Sequence, residues 1–255
     1  MPISFCVTCR NRLWQLRQTL HENLKVIKRP HEICLADYGS SDGLKDYIWR
    51  EFRPFIENST LVFFEVQNEV PWSSPKSKNL SHRLASNDYL FNLDADNFVT
   101  QRDLEIIQAG ASAKKVIQQW DGDLKSGAYG RIGMPAEVFY DVGGYDEGLL
   151  PLGAEDVDFL ARLQASYGIQ RVPPPERGPV QNTNSDRVQE VANKNSWDRM
   201  NGLNLQISVT KLELDGPKRP LAFSTYKGVL NGTPCVIDGL GNIWGLDDAA
   251  SAPER

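Results

Sequence analysis

The chain has 255 residues, with 28 Lys and Arg against 33 Asp and Glu, giving a formal net charge of −5. Hydrophobic residues at 40% and charged residues at 24% are globular values that exclude a disordered or collagen-like chain. The acid excess argues against nucleic acid as a partner, and the presence of only three His (His21, His31, His82) excludes a His-rich metal centre.

Ile3-Ser4-Phe5-Cys6-Val7 is a short apolar run that reads as a buried strand. Leu13, Leu16, Leu20, Leu24 and Ile27 recur at steps of three and four, the stripe of an amphipathic helix that Pro30 stops. A second strand, Glu32–Ala36, runs into the turn Asp37-Tyr38-Gly39-Ser40-Ser41-Asp42-Gly43. A helix carrying Leu44, Ile48, Phe52 and Phe55 follows, then a third strand at Leu61–Val66. Lys76–Ala85 reads as a helix and Tyr89–Leu93 as a fourth strand. This alternation predicts an α/β fold, a mostly parallel Rossmann-like sheet flanked by helices. Such sheets bind ligands beyond the carboxyl ends of their strands.

Further on, Asp103–Trp120 reads as a helix broken near Gly110, Tyr129–Gly133 as a strand and Val157–Tyr167 as a helix. Pro173-Pro174-Pro175 marks an extended connection, Asn182–Asn195 a polar loop and Trp197–Leu214 a last long helix. Short strands with turns at Asn231-Gly232 and Gly239–Gly241 make a β appendage with a frayed tail. The expected division is one domain over residues 1–215, with the appendage and tail over 216–255.

No run of about 18 apolar residues is present to cross a membrane. The N-terminus lacks a basic region followed by an apolar core, so the expectation is a cytoplasmic protein with free thiols. Cys6-Val7-Thr8-Cys9 is a C-x-x-C, but Cys6 falls inside a strand, and Cys34 and Cys235 stand singly. Neither a redox pair nor a zinc site is expected from that set. The phosphate cradles of dinucleotide and P-loop proteins are missing, as is a nucleophile elbow.

Three segments can carry chemistry. Asp94-Ala95-Asp96 follows the fourth strand, and in extended backbone residues two apart share a side. Both carboxylates can then face one divalent cation and, through it, a diphosphate; a solvated turn is the alternative. Gly153-Ala154-Glu155-Asp156-Val157-Asp158 places acids before a helix, where they serve either as favourable N-terminal charge or as a general base. Thr8-Cys9-Arg10-Asn11-Arg12 sets two forked cations beside a helix N-terminus, suited to phosphate oxygens.

Taken in order, these segments with Val142-Gly143-Gly144-Tyr145-Asp146-Glu147 resemble a GT-A-fold glycosyltransferase over roughly residues 3–210. The glycine turn and Gly-Gly-Tyr-Asp-Glu look like the large inverting family 2. Arg-Asn-Arg and Gly-x-Glu-Asp are similar to the β-1,4-galactosyltransferase and chondroitin-synthase relatives. The resemblance implies a UDP-sugar donor, a carbohydrate or glycoconjugate acceptor, Mn²⁺ or Mg²⁺, and inverting transfer of a hexose or N-acetylhexosamine in surface-polysaccharide or glycoconjugate synthesis. It leaves room for peripheral association with a membrane. By motif position it assigns donor binding to Thr8, Arg10, Arg12, Asp37, Lys78, Asp94 and Gly144. Metal binding falls to Asp96, Asp94 and Gln181, the base is Asp156, and Glu155 binds acceptor hydroxyls. Gln181 stands where the galactosyltransferase-like relatives carry a His, and a Gln carbonyl is the poorer ligand for Mn²⁺. That departure supplies the rival reading, a catalytically impaired domain that binds a sugar nucleotide or a polysaccharide.

Overall fold

Five of the six residues of β1 (Ser4–Cys9) are buried, and β2 (Glu32–Asp37) is buried throughout. With β3 (Leu61–Val66) and β4 (Tyr89–Asn92) they form a parallel core in the order β3-β2-β1-β4. Strands covered on both faces read as continuous apolar runs, which is why all four stand out in the sequence. The computed structural model describes residues 1–67, 71–123, 126–182, 189–191 and 196–246.

Helices cover both faces. α1 (Leu13–Val26) puts Leu13, Leu16, Leu20 and Leu24 into a core with Phe5, Ile33 and Phe63. The helix expected through Phe55 divides into α2 (Leu44–Glu51) and α3 (Arg53–Glu57), with Pro54 in the first turn of α3. α4 (Ser74–Arg83) lies on the opposite face, where Leu80 packs with Ala36, Phe64 and Tyr226.

The flank beyond β4 departs from expectation. α5 (Gln101–Ser112) stops short of Trp120, and Ile117–Gln119 is instead strand β5. Lys114, at φ 51°, turns the chain between them. Gly110 does not break the helix: a Cβ there would meet Ile117 Cγ2 at 2.8 Å, so the glycine lets α5 lie against β5. β6 (Ile132–Pro135) starts later than the expected Tyr129 and runs antiparallel to both β4 and β5. α6 (Ala136–Asp141), α7 (Glu155–Tyr167) and β7 (Gln170–Val172) follow, β7 parallel to β5. α8 (Trp197–Asp215) is capped by Ser196, whose hydroxyl accepts the Arg199 N–H at 3.2 Å.

At the C-terminal end, β8 (Tyr226–Leu230) and β9 (Thr233–Ile237) form a hairpin, with β10 (Ile243–Gly245) on its outer side. Asn231 and Gly232 have φ of 49° and 89°, the two left-handed residues that a tight hairpin loop requires. β8 pairs antiparallel with β3, so these strands extend the central sheet, whose order among the described residues is β10-β9-β8-β3-β2-β1-β4-β6-β5-β7. The four cysteines are free and buried. Among the described residues no helix is long and apolar enough to cross a membrane. Of the loop expected over 182–195, residues 183–188 and 192–195 lie outside the described residues, as does the tail from 247.

Candidate active site

A cavity of about 610 Å³ opens where the carboxyl ends of β1 and β4 meet the N-terminus of α7. Thr8, Arg10 and Arg12 line it from β1, Asp94 and Asp96 from β4, Lys78 from α4, and Glu155 and Asp156 from α7. Eight of the residues singled out in the sequence thus share one space. All but Lys78, which sits midway along α4, lie at or just beyond the end of a strand or at the start of a helix, as the topology of an open parallel sheet requires.

Gly153 (φ 87°) and Ala154 (φ 58°) turn the chain into α7, and the acids of its first turn sit at the positive end of the helix dipole. The buried Lys78 ammonium lies 2.6 Å from Asp156 Oδ1 and 3.4 Å from Glu155 Oε1. Ser74 Oγ donates to Glu155 Oε1 at 2.7 Å. Burial opposes the charge on Lys78, but Asp156, Glu155 and Asp94 outweigh it and hold its pKa well above the ordinary lysine value. The two acids diverge. Burial raises Asp156 to about 6, reinforced by Glu155 and Asp94 and opposed by Lys78. Burial also acts on Glu155, but Lys78 and Ser74 prevail and bring it below the usual range. Neighbouring carboxylates pushed apart in this way are suited to different tasks. A Cβ at Gly130 would stand 2.8 Å from Asp156 Oδ2, so only glycine lets that carboxylate reach its position.

On the facing wall, Asn97 Nδ2 donates to Asp96 Oδ1 at 2.6 Å. Behind it the fully buried Arg131 donates to Asn97 Oδ1 (3.2 Å), to the Phe98 carbonyl (2.9 Å) and to Gln119. Burial pulls Arg131 down to about 10, so it remains a cation beneath the acidic turn at neutral pH. The Val180 N–H donates to the Asp96 carbonyl at 2.8 Å, bringing the next residues to the cavity. Asn182 lines it, and its Oδ1 is buried without a hydrogen-bond partner among the described residues. Gln181 is exposed and outside the lining, so the oxygen offered to the cavity from this segment belongs to Asn182.

Two further expectations change. Asp37 ends β2, buried, and accepts the Ser40 N–H at 2.8 Å; burial raises its pKa, and it is not part of the cavity lining. Gly144 lies in the core away from the cavity. A Cβ there would meet Asn79 Oδ1 at 2.6 Å, and its carbonyl accepts from Arg162 at 2.6 Å. Arg162 also binds the Val142 carbonyl and Asp158, so the Gly-Gly-Tyr turn is tied into the core. Sequence reasoning missed Ser74, Asn182, Glu190 and Trp72, and the α8 residues Trp197, Asn201 and Leu205. Only the last three carry a signal, their four-residue spacing along one helix face.

Comparison with solved structures places the fold. S. aureus TarS aligns with TM-score 0.54 and 15% identity, over 74% of this chain and 38% of that one. The chain therefore spans well under half the length of TarS. The mannosyltransferase PcManGT from Pyrobaculum calidifontis, in complex with GDP-Man and Mn²⁺, aligns with TM-score 0.55 and 15% identity, over 84% and 70% of the two chains. GalNAc-T7, with UDP, GalNAc and Mn²⁺, gives TM-score 0.52 and 17% identity over 68% and 42%. No curated protein sequence matches. The family profile described as Glycosyl transferase family 2 matches residues 4–132, from β1 through the acidic turn to the first residue of β6. That span exceeds half of the chain, and it establishes that the chain belongs to glycosyl transferase family 2.

Proposed function

We propose that the cavity moves a hexose or N-acetylhexosamine from a UDP-sugar to a hydroxyl of a carbohydrate or glycoconjugate, with inversion. The observation that carries the reading is the placement of Asp156, a carboxylate with pKa about 6, in the same cavity as Asp94 and Asp96. A base with a pKa near the working pH is effective at taking a hydroxyl proton. Asp156 receives the acceptor proton as the acceptor oxygen bonds to the anomeric carbon, while the bond from that carbon to the donor diphosphate breaks on the other face. Arg10 and Arg12 bind donor phosphate oxygens, and Thr8 lies beside them. Like-folded relatives hold UDP-GlcNAc, UDP or GDP-Man, which supports a nucleotide-sugar donor here.

A divalent cation fits the residues present. Asp94, Asp96 and Asn182, whose Oδ1 has no partner among the described residues, offer hard oxygen donors of the kind Mg²⁺ and Mn²⁺ take. When bound, the cation would neutralise charge on the departing diphosphate. Isothermal titration of UDP with and without Mn²⁺, and UDP release from the glucose, galactose and two N-acetylhexosamine donors, test the reading. Metal-dependent UDP binding is expected, and Asp96→Asn is expected to weaken Mn²⁺ binding by about 100-fold or more. Absence of any uridine nucleotide binding would overturn the donor assignment. The impaired-domain rival is excluded if UDP-sugar cleavage is found and depends on Asp156.

Lys78 gives a second test. Replacing it with Met removes the cation that restrains Asp156, so the carboxyl pKa climbs further above 6. The acidic limb of the rate profile is expected to move to higher pH by about one unit or more. An unmoved limb would show that some other group titrates.

A further inference from the structure

A second cavity, of about 390 Å³, adjoins the first at Trp72, which among the described residues alone lines both. Its size reaches the lower end of small-ligand pockets, about 300–1,000 Å³. Trp72 stands edge-on to Tyr38 with ring centroids 5.6 Å apart, and the Tyr38 and Tyr226 hydroxyls join at 3.0 Å, so the aromatic wall is braced. Against it stand the Ser73 and Thr225 hydroxyls and the Lys76 ammonium. Among the described residues none of these three side chains has a hydrogen-bond or ion-pair partner, although Ser73 is only 7% exposed. Glu147 completes the lining, held by Asn79 (3.0 Å) and by the Ser224 hydroxyl (2.6 Å).

The two cavities are built on the same two segments. Ser73 faces the second while its neighbour Ser74 holds Glu155 in the first. Leu149 and Pro151 line the second, and Leu152 to Asp156 continue into the first. The Ser74 N–H donates to the Pro151 carbonyl at 2.8 Å, tying the segments together. The second cavity therefore adjoins the wall that carries the proposed base.

An aromatic face beside loose hydroxyls, one ammonium and one carboxylate matches a neutral polyhydroxylated ring. The ring lays its C–H face on the indole, and its hydroxyls donate and accept. A phosphate matches poorly, because Glu147 would repel it. Building on the glycosyltransferase reading above, we infer that this cavity holds a neutral sugar unit of the acceptor, next to the unit that receives the transferred sugar.

Fluorine NMR of protein labelled with 5-fluorotryptophan tests this, with the Trp72 line assigned from Trp72→Phe. The probes are maltose, cellobiose, lactose and N,N′-diacetylchitobiose, with UDP titrated separately. At least one disaccharide is expected to move the Trp72 line in a saturable manner. Lys76→Ala is expected to weaken that binding by roughly tenfold, about 1.4 kcal/mol, with UDP affinity unchanged. The inference is overturned if no disaccharide moves the line, or if Lys76→Ala weakens UDP, which would make the cavity part of the donor site. Failure of UDP to bind the unaltered protein would instead strike the donor assignment, leaving the disaccharide result to stand by itself.

Discussion

Asp156→Asn is expected to cut sugar transfer by about 10²–10⁴-fold while UDP affinity stays within about twofold. The amide keeps the size of the carboxylate and can still face Lys78, so the wall of the cavity persists, but it cannot take a proton. Glu155 does not substitute for it, because Lys78 and Ser74 hold its pKa below the usual carboxylate range and so make it the weaker base. The pH dependence supplies an independent check. A carboxyl raised to about 6 is largely protonated below that pH, so transfer falls as the pH drops through about 6. A variant that keeps both its rate and its acidic limb would remove Asp156 from the chemistry.

Asp158→Ala, two residues along the same helix, is expected to act on stability instead. Asp158 and Arg162 are 1% and 0% exposed and pair at 2.8 Å. The Ser208 hydroxyl also donates to Asp158 at 2.8 Å, joining α7 to α8. Removing the carboxylate strands a buried guanidinium, which costs about 3–5 kcal/mol. For a chain of this size that corresponds to a Tm fall of about 6–20 °C. The double substitution Asp158→Ala with Arg162→Met is expected to recover much of the loss, since no charge is then left buried alone. A single variant that melts within about 2 °C of the unaltered protein would contradict the assignment.

The acidic motif thus contains two kinds of acid that sequence alone does not distinguish. Glu155 and Asp156 face the cavity, while Asp158 points into the core, a difference set by helix phase relative to Arg162 and Ser208. The parallel core was legible because strands buried on both faces write uninterrupted apolar runs, as at Leu61–Val66. β5 was not, because a three-residue strand carries too little pattern to outweigh the helical periodicity before it. Gly110 was misread, and the close packing around Gly144 not foreseen, for a related reason. Their roles depend on Ile117 and Asn79, partners that a linear reading does not bring alongside. That Asn182 rather than Gln181 lines the cavity is an offset of one residue, next to the Val180 contact to the Asp96 backbone. Thr8, Arg10, Arg12, Asp94 and Asp96 could be brought to one sheet edge by their place in or after strands. Lys78 as the counter-ion of both α7 acids could not be, since that pairing spans 77 and 78 residues.

The pairing of β8 with β3 also has a consequence for biogenesis. A bare strand edge is a template for unwanted pairing with another chain. β3 ends at Val66 and its cover begins at Tyr226, about 160 residues later. At ~5–20 residues per second, a ribosome needs roughly 8–30 s to supply that cover. Throughout that interval the nascent sheet can grow from β3 in the wrong direction. Efficient production of this chain therefore depends on how quickly the hairpin from Tyr226 to Ile237 emerges, although neither of its strands lines the cavity of the proposed base.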